Sequence, residues 1–161
     1  YHHAYRELYP SQTHADMENT VKIILAEGAR LPSYMTAGSS GADLHALLPE
    51  AFLLRAGSYA AIPTGVSVEI PNGYEGQIRP RSGLARKFGI TILNAPGTID
   101  SDYRGEIIVL LINHGTQDYT IQNGDRIAQL VICPVEQVQF SIENSLSATQ
   151  RDKQGFGHTG K

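Results

Sequence analysis

From residue 21 onward the chain alternates short apolar runs with turn residues, and the runs are too short and too often interrupted to be helices. Runs at 21–25, 60–64, 66–70, 76–78, 90–93, 106–112, 119–121, 127–133 and 135–140 read as strands. Pro71-Asn72-Gly73, Asn113-His114-Gly115 and Gln122-Asn123-Gly124-Asp125 supply turn chemistry between them. Residues 82–88 break the pattern: Leu84, Ala85, Arg86 and Lys87 are good helix formers and predict one short helix. Helices do not alternate with strands, which argues against a doubly wound sheet. The expected fold is all-β, an antiparallel sandwich or barrel-like sandwich with one short helix.

Both ends differ from this middle. Residues 1–16 hold three of the six histidines and show no period, and Met17 is a plausible native start. A leader or tag-derived remnant fits them better than a metal site. Residues 141–161 lose the apolar alternation and end in Gly155-Phe156-Gly157-His158-Thr159-Gly160. Such a segment cannot bury enough surface to hold itself in place. It reads either as a frayed terminus or as an arm that orders over a ligand. In the second case Arg151 offers a cation, Phe156 a ring and Thr159 a hydroxyl. The expected organisation is thus a tail at 1–16, one folded unit at 17–140 and an arm at 141–161.

The bulk numbers narrow the function. A chain of 161 residues with 41% apolar and 18% charged residues is an ordinary one-domain globular protein. A formal charge of −3 gives no electrostatic footing for nucleic acid. Any nucleotide handled is expected to be small and held by a few placed cations. Cys133 is the single cysteine, so no intrachain disulfide forms, and its Leu-Val-Ile-Cys-Pro setting predicts burial. No apolar run approaches the ~20 residues that span a bilayer, and the N-terminus lacks a secretory apolar core. No membrane partner and a reducing, cytoplasmic setting are the default expectation.

Four polar segments can carry chemistry. In Arg79-Pro80-Arg81-Ser82-Gly83-Leu84-Ala85, two arginines precede a Ser-Gly that opens the helix. Free N–H groups and guanidinium both favour an anion there, whereas Ser82 as a plain helix cap explains the same residues. Local physics favours neither. The stretch from Asn94 to Gly105 is a long polar hairpin connection; its backbone can meet the edge of a planar base, and a carboxylate can deprotonate a water. Taken alone, Asp100 and Asp102 are better read as turn supports. Gly38 to Leu44 is a small-residue loop whose Asp43 can hold a water on Mg²⁺ or serve the turn. In Gly124-Asp125-Arg126-Ile127-Ala128-Gln129-Leu130, Gln129 can reach a phosphate, with a surface Asp125–Arg126 arrangement as the plain alternative.

Together these segments resemble the five motifs of the trimeric dUTPases. The motifs are Gly41-Ala42-Asp43-Leu44, Arg81-Ser82-Gly83-Leu84-Ala85, Gly97-Thr98-Ile99-Asp100-Ser101-Asp102-Tyr103-Arg104-Gly105, Gly124-Asp125-Arg126-Ile127-Ala128-Gln129 and Gly155-Phe156-Gly157-His158-Thr159-Gly160. The resemblance runs from about Val21 to the C-terminus. It implies a jelly-roll homotrimer with shared active sites and a flexible C-terminal arm, hydrolysing dUTP to dUMP and pyrophosphate with Mg²⁺. By similarity Arg81, Ser82, Gly83 and, from another subunit, Gln129 bind the phosphates. Asn94 and the backbone near Ile108 read the uracil, with Thr98 and Ile99 beside it. Tyr103 packs on the deoxyribose, and Asp100 orients the attacking water. Asp43 acts on the metal through water, so no direct protein ligand is expected. Arg151, Phe156, Gly157, His158 and Thr159 close over the nucleotide.

The arm departs from the family's usual Arg-Gly-x-Gly-Gly-Phe-Gly, because Asp152 and Gln154 replace glycines. Two rival readings remain. A dCTP deaminase shares the fold but needs a glutamate where Leu110 stands, and Glu106 is placed too early. A non-catalytic trimeric binding module would not need Asp100, Tyr103, Arg81 and the arm together.

Overall fold

The computed structural model describes residues 20–157, 159 and 160. It contains ten strands and one helix among those residues: β1 (Lys22–Leu25), β2 (Ala42–His45), β3 (Phe52–Leu54), β4 (Tyr59–Glu69), β5 (Tyr74–Arg79), α1 (Ser82–Phe88), β6 (Ile90–Ile92), β7 (Gly97–Ile99), β8 (Glu106–Asn113), β9 (Tyr119–Ile121) and β10 (Arg126–Pro134). One four-stranded sheet has the order β1-β4-β8-β6 and a second the order β2-β10-β5-β7, with β3 and β9 forming a two-stranded ribbon. Every pairing is antiparallel. The all-β expectation with one short helix holds, and the sheets form an open sandwich rather than a closed barrel. No helix among the described residues is long and apolar enough to cross a membrane.

The core lies where the two sheets and the ribbon meet. Ile62, Val66, Ile107, Val109 and Leu111 enter it from the first sheet, Leu44, Ile78 and Leu130 from the second, and Leu54 and Ile121 from the ribbon. Strand β8 explains itself by its period of two: Ile107, Val109 and Leu111 point inward, which sends Glu106, Ile108 and Leu110 to the other face. The helix is closed by Gly89 in the left-handed conformation at its C-terminus. Phe88 packs on Tyr119 of β9 at 4.8 Å between ring centroids.

Several expectations need correction. The runs 60–64 and 66–70 form a single strand, β4, whose register against β8 shifts between Pro63 and Ser67. Gly65 takes a φ of +68° there, and a Cβ would meet Leu47 Cδ2 at 2.6 Å and Ala29 Cβ at 2.7 Å, so both conformation and space demand glycine. The run 135–140 is not a strand: after Pro134 only Val135 N–H to Gly73 O ties the backbone on, and Phe140 is exposed. Its alternation finds no neighbouring edge among the described residues. Conversely, Ala42–His45 is a strand and not part of a loop, and β3 and β7 emerge from stretches that lacked a readable period.

At the end of β8, Asn113 is completely buried and its side chain substitutes for missing sheet partners. Nδ2 donates to Leu54 O (3.1 Å) and Gln117 O (2.8 Å), and Oδ1 accepts from Gly115 N (2.9 Å). Asn113→Ala strands three backbone groups, at a cost of about 2–3 kcal/mol. Thermal unfolding followed by circular dichroism is expected to show Tm lowered by roughly 4–12 °C. A wild-type Tm would mean that water replaces the amide without loss.

Candidate active site

The stretch between β6 and β8 is not a simple hairpin loop. Strands β6 and β8 pair directly, Ile92 opposite Leu111, and Leu93 N–H still donates to Leu110 O at 2.8 Å. The chain then leaves the first sheet, passes a cis Ala95–Pro96 peptide, and pairs β7 onto β5 of the second sheet, Thr98 opposite Gln77. It returns through a tight turn in which Tyr103 N–H donates to Asp100 O at 3.1 Å. A strand borrowed by the other sheet opens a gap between the two.

That gap is a cavity of about 210 Å³, lined by Asn94, Gly97, Thr98, Ile99, Asp100, Tyr103, Glu106, Ile108 and Leu110 with Ile78 behind. It is smaller than the ~300–1,000 Å³ usual for a drug-sized ligand, so it suits one planar ring and its immediate substituent. Apolar walls come from the outward face of β8. Asn94, Asp100, Tyr103 and Glu106 add polar groups to the lining. Six of the residues expected at the site are therefore brought together here: Asn94, Thr98, Ile99, Asp100, Tyr103 and Ile108.

Tyr103 folds back on its own turn, its hydroxyl donating to Glu106 O at 2.9 Å. Gly105 makes room for this. A Cβ there would overlap Tyr103 Oη and lie 2.6 Å from Cζ. Glu106, which spacing alone had set aside, lines the cavity, as does Leu110. Pattern did signal both, because they share the face of β8 opposite Ile107, Val109 and Leu111.

A second constellation sits across β2, β10 and the start of α1. Asp43 is only 8% exposed. Its carboxylate lies between two guanidiniums, Oδ1 at 3.8 Å from Arg81 Nε and Oδ2 at 3.4 Å from Arg126 Nη1. Arg81 Nη1 also donates to Arg126 O at 3.1 Å. Gln129 pairs with Asp43 across the strands and donates from Nε2 to Pro80 O at 2.9 Å. Its amide lies so close over Gly41 that a Cβ there would overlap it. Sequence reading missed Arg126, whose carboxylate partner is Asp43 and not Asp125; Asp125 Oδ2 instead accepts from Gln122 N. Nor does Ser82 cap the helix: the cap position is Arg81, without a side-chain bond, leaving Ser82 and Gly83 exposed in the first turn. His45 lies next to this cluster with Nδ1 buried and unpartnered among the described residues. Burial lowers its pKa from the usual value; Arg30, Arg126 and Arg81 add to the effect and Asp43 opposes it, so the ring stays neutral more readily.

The two constellations share no residue. In the second sheet Asp43 lies on the edge strand β2 and Arg126 and Gln129 on β10, whereas the cavity adjoins the opposite edge strand β7, two to three strand spacings of about 4.8 Å away, or roughly 10–14 Å. Arg151, Phe156, Gly157 and Thr159 are exposed and line neither; Arg151 Nε instead donates to Gln154 O at 2.7 Å. His158 and the tail at 1–16 lie outside the described residues.

The sequence model of the dUTPase family matches residues 27–160. The chain belongs to the dUTPase family. Among its relatives, the deoxyuridine 5'-triphosphate nucleotidohydrolase of Treponema denticola is 58% identical over 136 residues, covering 84% of this chain and 94% of the relative. The corresponding protein of Anaplasma marginale is 56% identical over 133 residues, covering 83% and 90%. Among solved structures, the dUTPase of Staphylococcus bacteriophage 80alpha with dUPNHPP has a TM-score of 0.81 at 28% identity, covering 89% of this chain and 99% of that one. A mutant dUTPase from phage phi11 of S. aureus, described for its structural Mg(II) ion, has a TM-score of 0.71 at 27% identity, covering 79% and 98%.

In this dUTPase, the geometry of Tyr103 depends on the missing side chain at residue 105. Gly105→Ala is expected to break the bond from Tyr103 Oη to Glu106 O, swing the ring and cost about 1 kcal/mol. A crystal structure of the variant checks this; a ring still bonded to Glu106 O would contradict it.

Proposed function

We infer that the chain is a dUTP diphosphatase, cleaving dUTP to dUMP and pyrophosphate at a site whose base-and-sugar half is the cavity between β7 and β8. The observation that carries this reading is that Asn94, Asp100 and Tyr103 line one small cavity. Uracil enters edge-on, met by the Asn94 amide and the backbone near Ile108, with Thr98 and Ile99 alongside. On this reading a pocket of this size excludes a 5-methyl group and its polar edge mismatches cytosine, the kind of rejection that discriminates strongly. The Tyr103 ring packs on the deoxyribose and leaves no place for a 2′-hydroxyl.

Asp100 lines the same cavity and would meet the α-phosphate there. Its carboxylate takes a proton from a water as the water oxygen bonds to the α-phosphorus and the bond to the β-phosphate bridging oxygen breaks, releasing pyrophosphate. Arg81, Ser82, Gly83 and Gln129 bind the phosphates. None of the four lines the cavity, Gln129 lying on β10 and Arg81, Ser82 and Gly83 beyond the end of β5, which supports a homotrimer in which one subunit supplies the base pocket and another the phosphate grip. The arm at 141–161 closes the site, Phe156 stacking on uracil, Arg151 holding the terminal phosphate, and Gly157, His158 and Thr159 lining the closed face. The domain itself spans 17–140. No cluster of three or more His, Cys, Asp or Glu that could hold a metal occurs among the described residues. Two guanidiniums around Asp43 suit a triphosphate that brings its own Mg²⁺, with Asp43 touching the ion's water. The ion would neutralise phosphate charge. Such an enzyme supplies dUMP for dTMP synthesis and keeps uracil out of DNA, in the cytoplasm and without nucleic-acid or membrane partners. The deaminase reading is disfavoured by Leu110, which puts a hydrocarbon where that chemistry needs a carboxylate.

Asp100→Asn keeps the shape and removes the base. Its kcat is expected to fall by roughly 10²–10⁴, while the Kd for a non-hydrolysable dUTP analogue stays near wild type. Steady-state pyrophosphate release and calorimetry measure the two, and a wild-type kcat would remove Asp100 from the role.

A further inference from the structure

The turn that carries Asp100 projects from the end of β7 and is tied back to the first sheet by two side chains, Tyr103 through its bond to Glu106 O of β8 and Arg104 through Glu69 of β4. Arg104 Nη1 donates to Ser101 O at 2.6 Å and to Tyr103 O at 3.2 Å. Its Nη2 lies 3.3 Å from Glu69 Oε1, at the last residue of β4. The other Glu69 oxygen lies 3.5 Å from Lys22 Nζ of β1. A single planar guanidinium thus reaches three acceptors, two on the turn and one on the sheet. Strand β4 also holds β8, with Ser67 opposite Glu106. The turn bearing Asp100 and the strand forming the cavity wall are therefore referenced to the same few residues of β4.

This contact adds little to stability. Arg104 and Glu69 are 53% and 45% exposed, and pairs that open to water are weak. Its geometry is specific all the same, because the two carbonyls and the carboxylate need a fork of donors and not a point charge.

We propose that Arg104 is a positioning residue for hydrolysis, clamping the 100–103 turn to Glu69 so that the Asp100 carboxylate stays at the cavity. The proposal rests on Asp100 being the base. It differs from a purely structural role in what it moves: the turnover step, through Asp100, with substrate capture less affected.

Steady-state dUTP hydrolysis by the full chain tests it. Arg104→Ala is expected to lower kcat roughly tenfold, in line with small misplacements of catalytic groups, with a smaller change in KM and a Tm close to wild type. Arg104→Lys recovers part of the loss, and Glu69→Gln, which removes only the anchor, gives a milder drop of the same kind. In an Asp100→Asn background, Arg104→Ala costs no further kcat, since there is no base left to position. Wild-type kcat in Arg104→Ala, an effect confined to KM, or an equal fold-loss in both backgrounds would overturn the proposal. Should Arg104→Ala lower Tm strongly, Glu69→Gln decides by the same criteria. Full turnover by Asp100→Asn alone would instead remove the assignment of the base, and with it the proposal that Arg104 acts through Asp100.

Discussion

The register in which β8 lies between β4 and β6 fixes both the core and the cavity. Because side chains alternate, placing Ile107, Val109 and Leu111 in the core obliges Glu106, Ile108 and Leu110 to face the gap beneath β7. A slip of one residue would exchange the two sets, burying the Glu106 carboxylate in the core and reshaping the pocket wall with Ile107, Val109 and Leu111. Asn113 stops such a slip at one end by filling the hydrogen-bonding needs of Leu54, Gly115 and Gln117. The shifted register around Gly65 marks the other end, in front of the Ser67–Glu106 pair.

Borrowing β7 for the second sheet follows from the same frame. A chain leaving β6 and returning to β8 normally needs only a short turn; here it makes an excursion that hydrogen-bonds to β5 and so keeps its backbone satisfied while holding open a gap. Glycines at the tight spots make this possible. Gly97 sits 3.1 Å (for an imagined Cβ) from Ile78 Cβ, and Gly105 makes way for the Tyr103 ring. On the far edge of that sheet, Asp43 settles two arginines that would otherwise repel each other, so the cationic side of the molecule is arranged before any phosphate arrives.

Much of this could be read in the sequence, for identifiable reasons. The short apolar run at 106–112, closed by the Asn113-His114-Gly115 turn, announces β8, and Leu84 to Lys87 announce the helix. The polar stretch at 94–105 stands out between two apolar runs. What could not be read depends on distant partners. Strands β2, β3 and β7 have three or four residues each, too few to display a period, and they exist because β10, β9 and β5 offer an edge. The Asp43–Arg126 pair follows from the β2–β10 register, which local spacing does not encode. Residues 135–140 misled in the opposite way, reading as a strand where the described residues provide no neighbour. The motif resemblance carried what periodicity could not: read alone, Asp100 was a turn residue, and its standing comes from Asn94 and Tyr103 meeting it at one cavity.

The central claim is that this cavity selects uracil for hydrolysis. Incubating the protein separately with dUTP, dCTP, dTTP, dATP and dGTP in the presence of Mg²⁺, and following pyrophosphate and ammonia together, tests it most directly. Pyrophosphate released from dUTP, with none from the other four and no ammonia, is the predicted result. Ammonia from dCTP, or no product from any of the five, would contradict it.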